Sequence, residues 1–98
     1  MLKKSNAGRT GRVRVTFDWS AEADARDVRL CGEWNGWSPE ANPMPQRKDG
    51  RFSTTVNLEA GRPYRFKYLV DGQRWENDHA ADAYVPNPYG TTDSVVSV

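Results

Sequence analysis

The sequence predicts an all-β domain, a two-sheet antiparallel sandwich of the immunoglobulin-like kind. Three observations carry this expectation. Apolar residues recur at every second position in several short runs, the runs are joined by dipeptides suited to tight hairpins, and no stretch supports a helix of ten or more residues. Six or seven short strands need two facing layers to bury their apolar sides. A chain of 98 residues can build one such core but not two.

The stretch from Met1 to Arg12 is basic, contains glycine and has no apolar period, so residues 1–11 are expected to form a flexible arm and residues 12–98 the folded module. A nucleic-acid-binding tail is the alternative for that arm. From Arg12 the pattern becomes strict alternation, with Val13, Val15, Phe17 and Trp19 against Arg14, Thr16 and Asp18. That is the signature of a half-buried strand. After a short helix-permissive stretch, "DVRLC" places Val28 and Leu30 on one face and Arg29 on the other. "RFSTTVNL" sets Phe52, Thr54, Val56 and Leu58 against Ser53, Thr55 and Asn57, and "YRFKYLV" sets Tyr64, Phe66, Tyr68 and Val70 against Arg65, Lys67 and Leu69. Both are rich in β-forming residues.

The connectors agree. Asp49-Gly50 and Asp71-Gly72 accept the positive φ of tight hairpin turns, and Glu59-Ala60-Gly61 supplies a third short link. Such links imply antiparallel pairing. The segment from Glu76 to Asp93 has no period and contains Pro86 and Pro88, so it reads as a long loop or flap before a last strand, "SVVSV".

Composition narrows the function. The formal charge of +1 offers no global field for nucleic acid or membrane. The lone Cys31 has no disulfide partner in the chain, and with His79 as the single histidine no zinc set can be assembled, so neither a metal nor a cofactor is expected. The opening lysines are not followed by the apolar run of a signal peptide, and a soluble, cytoplasmic protein is expected.

Catalysis lacks its parts. Nucleophilic chemistry needs an activating base beside Ser, Thr or Cys, and His79 lies in the long loop with no nucleophile elbow in the sequence. Asp71, Glu76, Asp78 and Asp82 could supply the two carboxylates of a glycosidase, but Asp71 has a turn role, and so small a sandwich offers little depth for a water-excluding cleft. The glycines never reach the density of a phosphate-cradling loop.

What stands out is aromatic: four Trp, four Tyr and three Phe, nine of which separate into two sets. Phe17, Phe52, Tyr64, Phe66 and Tyr68 are in phase with strand alternation and fill the core. Trp34, Trp37, Trp75 and Tyr89 sit beside an Asn-Gly turn, past an Asp-Gly hairpin or on the long loop, where core packing explains them less well; Trp34, at a strand end, could still turn inward. An exposed indole offers a flat apolar face with a polar N–H at its edge, which suits the C–H face of a pyranose ring. The alternative is that Trp37 and Trp75 merely cap the open end of the sandwich.

At this point the residues resemble a family. "VRLCGEWNGWSP", followed by "YRFKYLVDGQRW" and "PNPYGTTDSVVSV", is similar to carbohydrate-binding module family 48, the isoamylase N-terminal or early-set domain, over about residues 12–98. That family includes the glycogen-binding domain of the AMP-activated protein kinase beta subunit and the N-terminal domains of α-glucan branching and debranching enzymes. The resemblance implies that Trp37 and Trp75 stack on neighbouring glucose rings, that Lys67 bonds sugar hydroxyls, that Tyr89 inserts into the curve of the glucan, and that Thr91 and Asp93 bond it. Two departures are visible: "DGQRW" has one residue more than the kinase pattern, and Asp93 stands where the family has Asn, keeping an acceptor but losing the amide donors. The implied function is non-catalytic binding of an α-1,4-linked glucan such as glycogen, starch or a maltooligosaccharide, with a glucan-metabolising enzyme as a second partner. The competing expectation is an interaction or scaffold domain whose aromatic end packs on such an enzyme without touching sugar.

Overall fold

The computed structural model of the chain describes residues 2–6, 11–20 and 25–98. The strands are β1 (Leu2–Asn6), β2 (Arg12–Ser20), β3 (Val28–Gly32), β4 (Arg51–Glu59), β5 (Pro63–Val70), β6 (Arg74–Glu76), β7 (Ala83–Pro86) and β8 (Thr92–Ser97). They form two antiparallel sheets. One has the order β1-β2-β4, the other β3-β5-β8-β7 with β6 also paired to β5.

The alternation expected of the sequence sets which face each strand buries. Val15, Phe17 and Trp19 of β2 and Phe52 and Leu58 of β4 face Val28, Leu30, Tyr64, Phe66, Tyr68, Val70 and Val96 of the second sheet. Phe17 and Phe66 meet edge to face across the layers with centroids 5.0 Å apart, and Phe66 meets Tyr68 the same way at 5.7 Å, both favourable arrangements for ring quadrupoles. The two-layer sandwich is therefore the expected all-β fold. Cys31 is fully buried, and desolvation pushes its thiol up to about 11, so it stays protonated and inert.

Two segments are more ordered than their sequences suggest. Of the expected arm, Leu2–Asn6 pairs with β2 from Leu2↔Phe17 to Asn6↔Val13, while Met1 and residues 7–10 lie outside the described residues. Pairing along an edge needs backbone groups rather than side-chain alternation, and Leu2 packs against the core. The segment read as a loop or flap likewise contains β7, paired from Ala83↔Val95 to Pro86↔Thr92. An edge strand tolerates Pro86, whose missing N–H would face outward.

A buried polar cluster ties this segment to the sheet. Tyr68 Oη donates to Asp78 Oδ2 at 2.6 Å, the Asp78 amide donates to Ser94 Oγ at 2.9 Å, and Ser94 Oγ donates to Asn77 Oδ1 at 2.9 Å. Burial and then the Asp78 carboxylate raise the Tyr68 hydroxyl well above its ordinary value, so it remains a donor.

One feature of topology positions the site. The N-terminal half of β5 pairs with β8 from Pro63↔Ser97 to Phe66↔Ser94, and its C-terminal end pairs with β6 from Tyr68↔Glu76 to Val70↔Arg74. The sheet forks there. Lys67 lies at the fork, between the two ladders.

Candidate functional site

The turn after β3 separates two tryptophans that the sequence places three residues apart. Glu33–Asn35 forms one 3-10 turn, held by the Asn35 side chain: its Oδ1 accepts from the Gly32 amide at 3.1 Å, and its Nδ2 donates to Leu30 O at 3.0 Å and to Asn42 Oδ1 at 2.8 Å. Trp34 turns inward. Its ring packs on Phe17 and Tyr64 with centroids 5.4 and 6.0 Å away, and its Nε1 donates to Asn42 Oδ1 at 3.1 Å. Trp34 is thus half-buried and packed against the core.

Trp37 goes the other way. Gly36 and Trp37 both adopt left-handed backbone, with φ of 66° and 63°. Glycine does so freely, but for a bulky residue the conformation costs about 1–2 kcal/mol. The Trp37 amide donates to Gly32 O at 3.0 Å, which closes the turn and holds the strained residue. Strain of this kind persists where the surroundings over-determine it, and here it aims an indole out of the sandwich.

Trp75 depends on register. Val70 pairs with Arg74 across a three-residue link, in which Asp71 and Gly72 have φ of 53° and 67° and the Gln73 amide donates to Val70 O. The extra residue of "DGQRW" is absorbed in that link, so Trp75 falls opposite Leu69. That puts its indole on the same outer face as Lys67, because side chains alternate along β5. A two-residue link would have turned Trp75 toward the core. Asp71 ties this link to the segment before β3: its Oδ1 accepts from the amides of Arg26 and Asp27, which hold its carboxyl below the usual range.

All six residues singled out in the sequence, Trp37, Lys67, Trp75, Tyr89, Thr91 and Asp93, line one open cleft of about 950 Å³ on the outer face of the five-stranded sheet. Lys67 is 9% exposed, its stem covered and its Nζ donating to Thr92 O at 3.0 Å. An ammonium carries three N–H groups, which leaves two for other acceptors. Tyr89 is the opposite case at 89% exposed, a phenol ring projecting from a surface that has no use for it in packing.

The loop under Tyr89 is built by Asn87. Its Oδ1 accepts from the amides of Tyr89 and Thr91 at 3.0 and 3.2 Å, while its Nδ2 donates to Thr91 Oγ1 at 2.7 Å and Asp93 Oδ1 at 2.9 Å. Thr91 keeps its own O–H to donate. Asp93 is 7% exposed, with one oxygen on Asn87 and the other 3.9 Å from Arg65 Nη1. It holds these two neighbours in place more than it faces the cleft.

Glu33, Arg65 and Asn87 also line the cleft, beyond the residues the sequence points to. Asn87-Pro88 followed by Gly90 is a turn signal that could have found Asn87, and Arg65 is in phase with Lys67 on β5. Glu33 Oε1 accepts from the Arg65 amide at 2.6 Å, a contact between distant segments that leaves no sequence trace.

Of the four carboxylates weighed for catalysis, Glu76 is half-buried at the end of β6 and the other three are committed elsewhere. Asp78 is buried in its polar cluster, Asp71 Oδ1 takes the amides of Arg26 and Asp27, and Asp82 Oδ2 takes Lys4 Nζ at 2.6 Å and the Ser97 amide at 2.7 Å. His79 is exposed. Among the described residues no helix is long and apolar enough to cross a membrane.

A family model of the glycogen recognition site of AMP-activated protein kinase matches residues 13–98. No curated protein matches the chain.

Proposed function

The chain belongs to the family of the glycogen recognition site of AMP-activated protein kinase, within carbohydrate-binding module family 48, and from that premise we propose that it is a non-catalytic module for α-1,4-linked glucans, from glycogen and starch to maltooligosaccharides. The observation that carries this reading is the single cleft in which two outward-aimed indoles, Trp37 and Trp75, accompany the largely buried Lys67. Flat apolar faces take sugar rings, and the donors beside them take the hydroxyls at the ring edges.

Tyr89 supplies selectivity. An α-1,4 chain curves and can wrap a projecting ring, whereas a straight β-1,4 chain suits a flat aromatic row. Thr91 donates beside it, and Asp93 with Asn87 keeps the loop in place.

Magnitudes set the affinity. Each stacked indole removes about 80–100 Å² of apolar area, on the order of 2–2.5 kcal/mol. Two stacks and a few hydrogen bonds against an association cost of about 4 kcal/mol or more give Kd values of about 10 µM to 1 mM. A polysaccharide with many chain ends amplifies such weak binding through multivalency. The buried, unpaired Cys31 suits a reducing, cytoplasmic setting, and a glucan-metabolising enzyme is the natural protein partner.

The same exposed aromatic residues would also suit a protein interface, so the test must separate the two ligands. In a native gel containing glycogen the protein is expected to be strongly retarded, and in a gel containing a soluble β-1,4-glucan it is expected to run freely. Unchanged migration in glycogen would overturn the sugar reading and leave the protein-interaction role.

A further inference from the structure

Arg65 and Lys67 stand two residues apart on β5, so both side chains leave the sheet on its outer face. Both line the cleft. Lys67 has a part in the sugar-binding reading, whereas Arg65 has none, and neither the core nor a turn requires a guanidinium at that position.

The residue is nevertheless carefully held. β3 ends at Gly32, opposite Phe66, and where that ladder stops Glu33 Oε1 takes the Arg65 amide at 2.6 Å. From there the side chain reaches past β8 to β7, at the foot of the loop that carries Tyr89. Its Nη1 donates to Pro86 O at 3.4 Å and lies 3.9 Å from Asp93 Oδ2. Both contacts use one nitrogen. The Nε–H and the two Nη2–H groups have no partner among the described residues, and the side chain is 43% exposed.

Those unused groups have a definite shape. A guanidinium keeps its five N–H groups in one plane, and its Nε–H and one Nη2–H point the same way as a fork. An α-1,4 link leaves two neighbouring secondary hydroxyls free on every inner ring, which is an acceptor pair that such a fork can meet. An anion would also suit a guanidinium, but the charged lining of the cleft consists of two cations, Arg65 and Lys67, and two carboxylates, Glu33 and Asp93. That balance favours an uncharged ligand.

Asp93 fits the same scheme. It is largely buried and has no N–H to offer a sugar. Its Oδ1 takes Asn87 Nδ2 while its Oδ2 faces Arg65 Nη1, so one carboxylate joins the guanidinium to the Tyr89 loop.

We infer that Arg65 is a further sugar-binding residue of this cleft, its free fork taking a vicinal hydroxyl pair of the glucosyl ring beside Tyr89, and that Asp93 is the positioning residue that anchors the fork. This rests on the sugar-binding reading above.

The test is a titration of the isotopically labelled whole chain with maltoheptaose, following the arginine Nε–H signals together with the Trp37 and Trp75 indole N–H signals. Arg65 Nε–H is expected to shift in step with the two indoles. Arg51, on the other sheet with its Nε donating to Asp49, serves as the reference that stays still. Calorimetric titration then gives the cost. Arg65→Met keeps most of the stem and is expected to weaken maltoheptaose binding about five- to tenfold, the scale of two hydrogen bonds at a partly exposed site. Its thermal melting should be nearly unchanged, because a half-exposed ion pair contributes little to stability. Arg65→Lys keeps the charge without the fork and is expected to remain about threefold weaker than the parent. Asp93→Asn keeps the acceptor for Asn87 and removes the anchor. In that background Arg65→Met is expected to cost less than about twofold, a coupling that independent residues would not show.

If the indoles shift while Arg65 Nε–H stays still, or if folded Arg65→Met binds as tightly as the parent, the inference is overturned and the main site stands. Full affinity in Arg65→Lys would assign the effect to charge and refute the fork. Equal losses from Arg65→Met with Asp93 and with Asn at that position would overturn the anchoring role of Asp93. If no signal moves with maltoheptaose, it is the sugar-binding reading itself that fails.

Discussion

Replacing Trp37 with Ala is expected to lower α-glucan affinity about 30- to 60-fold, the loss of one indole stack worth about 2–2.5 kcal/mol. The fold should survive, because Trp37 lies outside the core formed between the two sheets. Its backbone makes the test sharper. At φ 63° Trp37 is strained where glycine would not be, so Trp37→Gly is expected to lose binding equally while stability stays within about 1 kcal/mol of the parent. Calorimetric titration with maltoheptaose and thermal melting of both variants check this. Collapse of the fold in both would make Trp37 a structural residue, and full affinity in a folded variant would move the site elsewhere.

Replacing Gly32 with Ala is expected to cost about 2–4 kcal/mol of stability, a fall in Tm of about 10–25 °C for a domain of this size. The backbone at Gly32 is extended, with φ −159°, a conformation open to any residue. Contact is what forbids a side chain there. A Cβ would lie 2.5 and 2.6 Å from Cζ3 and Cη2 of the Trp34 ring, and that ring is wedged against Phe17, Tyr64 and Phe66. Either the turn or the core must shift. Gly36 provides the contrast, since nothing lies within 4 Å of its would-be Cβ and its φ of 66° is the sole obstacle. Gly36→Ala should therefore cost only about 1 kcal/mol. Thermal melting of the two variants compares steric with conformational cost, and equal Tm values would show that Trp34 is free to move.

These two glycines show where the sequence is legible and where it is not. Period-two alternation names the core faces of β2, β4 and β5, and it places Lys67 opposite Phe66 and Tyr68 without knowledge of any partner strand. The division of labour between Trp34 and Trp37 is not legible in that way. Both flank the same Asn-Gly pair, and what sends one inward and the other outward is a single 3-10 turn locked by Asn35 and permitted by Gly32. The register of Trp75 depends in turn on how many residues the hairpin link absorbs, which the pairing of Val70 with Arg74 settles.

The edges were the least readable parts. β1 and β7 each pair with one neighbour, so neither needs the apolar alternation that marks an inner strand. The Glu33–Arg65 and Asn87–Asp93 contacts join side chains to groups in other segments or across a turn, and no local pattern encodes them. The six residues that the resemblance points to nevertheless share one cleft.

The most direct test of the account is a two-dimensional NMR titration of the four indole N–H signals with maltoheptaose, using cellohexaose as control. Trp19 is buried and the Trp34 Nε1 is bonded to Asn42, so both serve as internal references. Maltoheptaose alone is expected to shift Trp37 and Trp75, together with amides of the loop from Tyr89 to Asp93. No shift at millimolar maltoheptaose, or equal shifts with cellohexaose, would contradict it.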